Sequence, residues 1–136
     1  MIDCIILAGG RGSRRIGSEL PQALIRVKDK ELIAYQIDYL KDKVNKIIVA
    51  TSYKAQDVEE FCYNTYPELS ILCVREREPL GTAGAIKNAI EEVESDRVLV
   101  LNCDAITDIY IEELEKIPGN VICVHNPKLP FGIIQK

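Results

Sequence analysis

The sequence predicts an α/β fold: three layers, α/β/α, around an open and mostly parallel sheet. Three observations carry this expectation. Five short runs rich in Ile, Val and Leu, at residues 2–7, 46–51, 71–74, 97–101 and 121–124, are nearly continuous in their apolarity, as strands covered on both faces are. Between the runs, apolar residues recur at helical spacing. Finally, the β and α patterns alternate at the interval that parallel crossover connections need.

Taken in order, the first strand ends at Leu7 and opens into Ala8, Gly9, Gly10, Arg11, Gly12, Ser13 and Arg14. Gly17 and Pro21 interrupt any helix that begins there, so a long loop is expected. Ile33, Ile37, Leu40 and Val44 form the first helical stripe, and the second strand follows at 46–51. Val58, Phe61 and Cys62 suit a second helix before the strand at 71–74. Ala85, Ile86, Ala89 and Ile90 suit a third, and Ile109, Leu114 and Ile117 a shorter fourth after the strand at 97–101. The run at 121–124 completes the set. Ligands of open α/β sheets bind beyond the carboxyl ends of the strands. Residues 9–15, residues 76–81 and Asp104 all follow strands at that edge.

The totals exclude several classes. A chain of 136 residues is expected to form a single domain over 1–136, and 47% apolar with 28% charged residues leaves no case for disorder. A net charge of −4 argues against a nucleic-acid partner. Yet residues 9–28 hold Arg11, Arg14, Arg15, Arg26 and Lys28 against Glu19 alone, which suits a small anionic ligand. No apolar stretch approaches membrane-spanning length, and the start lacks the pattern of a signal peptide, so no membrane partner is expected. The five cysteines form no CxxC pair; they are expected to be small buried hydrophobes in a reducing cytoplasm, without zinc-ligand spacing. His125, before Asn126 and Pro127, reads as a loop residue.

Consecutive glycine N–H groups can cradle phosphate oxygens, because glycine permits positive φ and close backbone approach. A flexible turn carrying surface arginines is the alternative. A P-loop is excluded, since "GRGSRR" lacks Gly-Lys-Ser/Thr. A dinucleotide fingerprint also fits poorly. Gly10, Gly12 and Arg15 imitate its spacing, but its helix begins at the glycines, and the second strand "NKIIVATS" ends without a ribose-binding acid.

"LAGGRGSR", then "PQALIRV", "KELIAYQIDYL", "EPLGTAGAIKNA", "VLNCD" and "FGII" occur in the order in which similar segments occur in the sugar-phosphate nucleotidyltransferases. The chain resembles that family, and its mannose-, heptose- and glucose-1-phosphate nucleotidylyltransferases in particular. The resemblance implies a Rossmann-like nucleotidyltransferase fold. It also implies transfer of a nucleotidyl group from a nucleoside triphosphate to a sugar 1-phosphate, with release of pyrophosphate and help from Mg²⁺. By resemblance, Leu7, Ala8, Gly9, Gly10, Arg11, Gly12 and Ser13 hold the nucleotide together with Glu76, Pro79, Gly81 and Thr82. Arg14, Gln22 and Asp104 form the catalytic set, with Arg14 clamping the departing phosphates and Asp104 holding the metal. Glu76 is placed to accept hydrogen bonds from guanine, so GTP is preferred over dTTP or UTP. Each assignment has a plainer alternative. Arg11 and Arg15 read as solvent-facing arginines, Glu76 as a solvated loop residue, and Asp104 as a helix cap, a role open also to Thr107 or Asp108.

Two departures matter. The family's Pro-Lys lysine is Gln22 here, and losing such a preorganised donor commonly costs on the order of 100- to 1000-fold in rate. Cys103 stands where the family usually has glycine. The family's domain also continues beyond the point matching Lys136, so a homodimer or partner subunit is the expected cover for that side, unless the chain is a piece of a longer protein. Three functional readings result: an active nucleotidyltransferase, a catalytically weakened nucleotide- or sugar-phosphate-binding homologue with a regulatory role, and an unrelated α/β binding module.

Overall fold

The structure is a computed structural model that describes residues 1–12 and 19–124. Four parallel strands, β1 (Asp3–Leu7), β4 (Ile47–Thr51), β5 (Ile71–Arg75) and β6 (Val98–Asn102), form one sheet in the order β5-β4-β1-β6. The two central strands are the two whose side chains are most completely buried. Because successive strand residues face opposite sides, β1 and β4 divide their apolar residues between two cores. Cys4, Ile6, Ile47 and Val49 point to one side, and Ile5, Ile48 and Ala50 to the other.

Helices cover both faces, as the three-layer expectation requires. On the first face α1 (Leu32–Leu40) lays Ile33, Ile37 and Leu40 on the sheet, α2 (Ala55–Thr65) adds Val58 and Cys62, and α4 (Ile111–Lys116) adds Ile111. Each fully buried isoleucine contributes about 1.5–3 kcal/mol relative to exposure. Val44 lies past the end of α1, in the following turn, but is buried with the same cluster. On the second face α3 (Gly81–Ala89) presents Ala85 and Ala89, whose small side chains let it lie close over Ile5 and Ile48. Buried Asp3 pins the loop before β6 to the start of β1, accepting hydrogen bonds from the N–H groups of Glu94 and Ser95.

Two features differ from expectation. A short antiparallel hairpin, β2 (Arg26–Val27) and β3 (Lys30–Glu31), precedes α1 and turns through Lys28, whose φ is +60°. The run at 121–124 is not a strand: Ile122 and Val124 are 85% and 89% exposed, and no strand among the described residues pairs with it. Apolar composition predicts burial, but a strand also needs a neighbour for its N–H and C=O groups. Cys123, expected to be buried, is exposed with that segment; Cys4, Cys62 and Cys103 are buried as expected, and all five thiols are free. Ser13, Arg14, Arg15, His125 and "FGII" lie outside the described residues. Among the described residues no helix is long and apolar enough to cross a membrane.

Candidate functional site

The parallel register brings four strand ends to one rim: Leu7 pairs with Ala50 and Asn102, and Thr51 with Arg75. From β1 the sheet grows through β4 to β5, and the chain then returns to the far side of β1 as β6. The crevice at such a reversal is where open α/β sheets bind ligands. A cleft of about 660 Å³ opens at this rim. Leu7, Gly9, Gly10 and Arg11 line it from the loop after β1, and Ser52 and Tyr53 from the loop after β4. Glu76, Pro79, Gly81 and Thr82 line it after β5, and Cys103 and Asp104 after β6, with Gln22 between. The three segments singled out in the sequence therefore meet in one place.

The glycine loop owes its path to the absence of side chains. A Cβ on Gly10 would lie 2.5 Å from Gln22 Oε1; Gly12 has φ +67°, and a Cβ there would lie 2.8 Å from Ile25 Cδ1. The loop's carbonyls are turned toward the protein: Gln22 N–H donates to the Gly10 carbonyl (3.1 Å) and Tyr53 N–H to that of Gly9 (3.4 Å). Among the described residues, the N–H groups of Gly9, Gly10 and Arg11 have no protein acceptor, which leaves a row of donors suited to anionic oxygens. Ala8 and Gly12 do not reach the lining. Ala8 is buried with its N–H on the Ala50 carbonyl, and Gly12 packs against Gln22 and Ile25. Arg11 is exposed but not simply solvent-facing: its guanidinium lies 5.0 Å from the centroid of the Tyr53 ring. The Tyr53 hydroxyl in turn donates to the Glu19 carbonyl at 3.2 Å.

Asp104 projects from the turn after β6, and Gln22 Nε2 donates to its Oδ2 at 2.7 Å across 82 positions of sequence. The helix-cap alternative for Asp104 does not hold. α4 begins seven residues later at Ile111, its N-cap is Tyr110, and no side chain caps it. Thr107 Oγ accepts from Ile109 N–H instead (3.3 Å). Beneath the Asp104 turn, buried Gln36 of α1 donates both amide hydrogens, to the carbonyls of Asn102 (3.1 Å) and Ala105 (2.6 Å). Burial, reinforced by the neighbouring Asp104 charge, pushes the Cys103 thiol up to about 12, so it stays protonated at neutral pH.

After β5, Glu76 N–H donates to the Thr51 carbonyl (2.8 Å), and Glu76 Oε2 accepts a long hydrogen bond from Leu80 N–H (3.5 Å) at the start of α3. Such a contact is weak enough for a ligand to displace. The charged residues that line the described cleft are Arg11 and Arg77 against Glu76, Glu78 and Asp104, a balance of two positive to three negative. No group of three or more His, Cys, Asp or Glu stands together among the described residues. One exposed carboxylate in a polar cleft does not make a cage for a structural metal. It does suit a hard divalent cation that draws its remaining ligands from water and phosphate oxygens.

Sequence reasoning missed Gln36, Tyr53 and Arg77. Tyr53 and Arg77 follow strands at the ligand-bearing edge, so the same rule that found Asp104 would have reached them. Gln36 carried no such signal, because a glutamine within a helical stripe reads as part of a solvent face.

A family model described as the MobA-like NTP transferase domain matches residues 4–127. D-glycero-alpha-D-manno-heptose 1-phosphate guanylyltransferase from Aneurinibacillus thermoaerophilus is 34% identical over 85% of this chain and 50% of its own length. The enzyme of that name from Campylobacter jejuni is 33% identical over 90% of this chain and 56% of its own. The structure of HddC from Yersinia pseudotuberculosis complexed with GMP-PN superposes with a TM-score of 0.77 at 32% identity, covering 85% of this chain and 53% of HddC. The chain thus spans about half the length of the curated relatives it matches. The match over residues 4–127 shows that the chain belongs to the MobA-like NTP transferase domain family.

Proposed function

We propose that this chain is the nucleotide-binding part of a sugar-1-phosphate nucleotidyltransferase, taking a nucleotidyl group from GTP and passing it to a sugar 1-phosphate with release of pyrophosphate. One observation carries this: residues from four strand ends line a single cleft, where the N–H groups of Gly9, Gly10 and Arg11, without a protein acceptor among the described residues, share the rim with a carboxylate held by Gln22. Joining two anions requires donors for their charge and positioning, and the loop N–H groups, Arg11 and Arg77 supply donors at this rim. The Gly9–Gly10–Arg11 backbone and the Arg11 guanidinium would hold phosphate oxygens, together with Ser13 and Arg14, which the resemblance assigns to the same task. Asp104 would hold Mg²⁺, which when bound lowers the repulsion between the phosphates.

Guanine is the proposed base. Glu76 lines the cleft, its carboxylate accepting a single long contact from Leu80 N–H among the described residues, and Pro79, Gly81 and Thr82 continue that wall. The heptose 1-phosphate guanylyltransferases and the GMP-PN complex of HddC among the similar proteins support this choice. A heptose or mannose 1-phosphate is the matching acceptor; assembly as a homodimer or with a partner subunit would add to the acceptor side. Five free thiols fit a reducing cytoplasm. A second reading, a weakened homologue that binds nucleotide and turns it over slowly, is favoured by neutral Gln22.

Pyrophosphate release and triphosphate affinity, measured with GTP, dTTP, UTP and CTP plus Mg²⁺ and a panel of sugar 1-phosphates, test both. Turnover with GTP is the expected result. GTP binding without turnover selects the second reading, and failure to bind any of the four triphosphates overturns both.

A further inference from the structure

Gln22 stands where the resemblance to the sugar-phosphate nucleotidyltransferases implies a lysine, and its surroundings show what the neutral residue does there. Its N–H donates to the Gly10 carbonyl (3.1 Å), its Oε1 fills the space a Gly10 Cβ would need, and its Cβ packs against Gly12. The side chain is thereby wedged between the glycine loop and the Asp104 turn. A reversed amide would set its oxygen against a carboxylate, acceptor against acceptor, so the NH₂ end faces Asp104 Oδ2 at 2.7 Å. Gln36 holds the other side of that turn through the Asn102 and Ala105 carbonyls. The carboxylate is aimed from two sides, and among the described residues no cation is paired with it.

We propose that Gln22 is a positioning residue that orients the Asp104 carboxylate while leaving its charge uncompensated, so that this site takes up a divalent cation before the nucleotide arrives. This rests on Asp104 as the cation-holding residue. An ammonium at the same place would sit within ion-pair distance of Asp104 and repel an incoming cation. It would also attract phosphate oxygens in the absence of metal. The glutamine reverses both preferences: Oδ2 is steadied by a neutral donor, Oδ1 has no partner among the described residues, and the triphosphate meets a site already carrying its cation.

The test is Mn²⁺ binding to the nucleotide-free full chain, read from the spectrum of the free ion, for the natural protein and for Gln22→Lys, Gln22→Met and Asp104→Asn. Circular dichroism confirms folding of each variant. One ion per chain is expected, lost in Asp104→Asn. Gln22→Lys is expected to weaken Mn²⁺ binding about tenfold at low salt, an effect that shrinks as salt rises. Gln22→Met, with no charge and no donor, is expected to weaken it a few-fold at all salt concentrations. Metal-free pyrophosphate is expected to bind Gln22→Lys more tightly than the natural protein. The proposal fails if Gln22→Lys binds Mn²⁺ as tightly as the natural chain while Asp104→Asn has lost it, or if the natural chain takes up Mn²⁺ only when GTP is present. If Asp104→Asn binds Mn²⁺ undiminished, the role given to Asp104 itself falls.

Discussion

Two aspartates mark opposite ends of the same pair of strands, and they are treated in opposite ways. Asp3 opens β1 and is 2% exposed. Its carboxylate accepts from Glu94 N–H (2.7 Å) and Ser95 N–H (3.1 Å), and its own N–H donates to Ser95 Oγ (2.8 Å), which passes its hydrogen to the Arg97 carbonyl (2.7 Å). Both of the hydrogen bonds that reach its Oδ2 come from the chain's own backbone. Asp104, just beyond β6, is exposed and receives one hydrogen bond from a neutral amide among the described residues. A buried carboxylate is tolerated only when fully hydrogen-bonded. An under-satisfied one at the ligand-bearing rim is available to something that is not protein. The N-terminal edge of this sheet is closed chemistry, and the C-terminal edge is open.

The sharpest way to break that contrast is to remove each charge. Asp104→Asn is expected to lower Mg²⁺-dependent turnover of GTP on the order of 100- to 1000-fold while leaving the melting midpoint unchanged. Asp3→Ala should do the reverse. It leaves the part-buried N–H groups of Glu94 and Ser95 without their acceptor, costs about 1–3 kcal/mol in urea unfolding, and leaves nucleotide affinity intact in the folded fraction. Loss of affinity in Asp3→Ala at unchanged stability would contradict the division of labour.

Gln36 lies between the two cases, since it is buried like Asp3 but serves the open rim. Gln36→Leu fills the same space without donors, taking the partner from the Ala105 carbonyl beside Asp104 and leaving the Asn102 carbonyl with the Ala105 N–H. The expected loss is about 1–3 kcal/mol of stability, together with a several-fold fall in Mn²⁺ affinity, measured by thermal melting and metal titration on the same preparation. A stability loss with no change in affinity would make Gln36 a core residue only.

The layered fold was legible because a sheet covered on both faces turns burial into composition: β1, β4, β5 and β6 are the Ile-, Val- and Leu-rich runs. The same reasoning failed at 121–124, where composition states that a residue prefers burial but not whether a neighbouring strand exists to pair with it. β2 and β3 have two residues each, too few for any period to show. At the site, the glycine loop, Glu76 and Asp104 could be read from their positions after strands. The contacts that give them meaning could not. Gln22 reaches Asp104 across 82 positions, and Gln36 reaches Ala105 across 69. Local pattern carries no information at such separations. Gln22 was visible in the sequence only as a missing lysine; its hydrogen bond to Asp104 needed the fold.

A third aspartate sharpens the comparison with the smallest expected effect. Asp38 of α1 is half-buried and meets Lys30 of β3 at 2.5 Å, with Tyr66 donating to its other oxygen at 3.1 Å, so it ties the hairpin after Gln22 to the helix that carries Gln36. Burial alone would raise its pKa. The hydrogen bonds from Lys30 and Tyr66, with the nearby positive charges, outweigh burial and hold it below its ordinary 3.8. The Asp38 hydrogen bond, with some opposition from burial, raises Lys30 above its ordinary 10.5. A carboxylate depressed on folding contributes stability that is complete above its unfolded pKa and disappears as pH falls through its folded one. A lysine raised on folding contributes below its unfolded pKa and loses that contribution as pH rises through its folded one. The pair therefore supports the fold across the whole neutral range. Thermal midpoints of the natural chain and Asp38→Asn are expected to differ by a few degrees at most there, with a gap that narrows in salt and closes below pH 3.8 as the folded carboxyl takes up its proton. A gap that persists at that acidity would show that Asp38 acts through shape and its Tyr66 contact, making it a residue of the closed kind, like Asp3, rather than one whose charge does the holding.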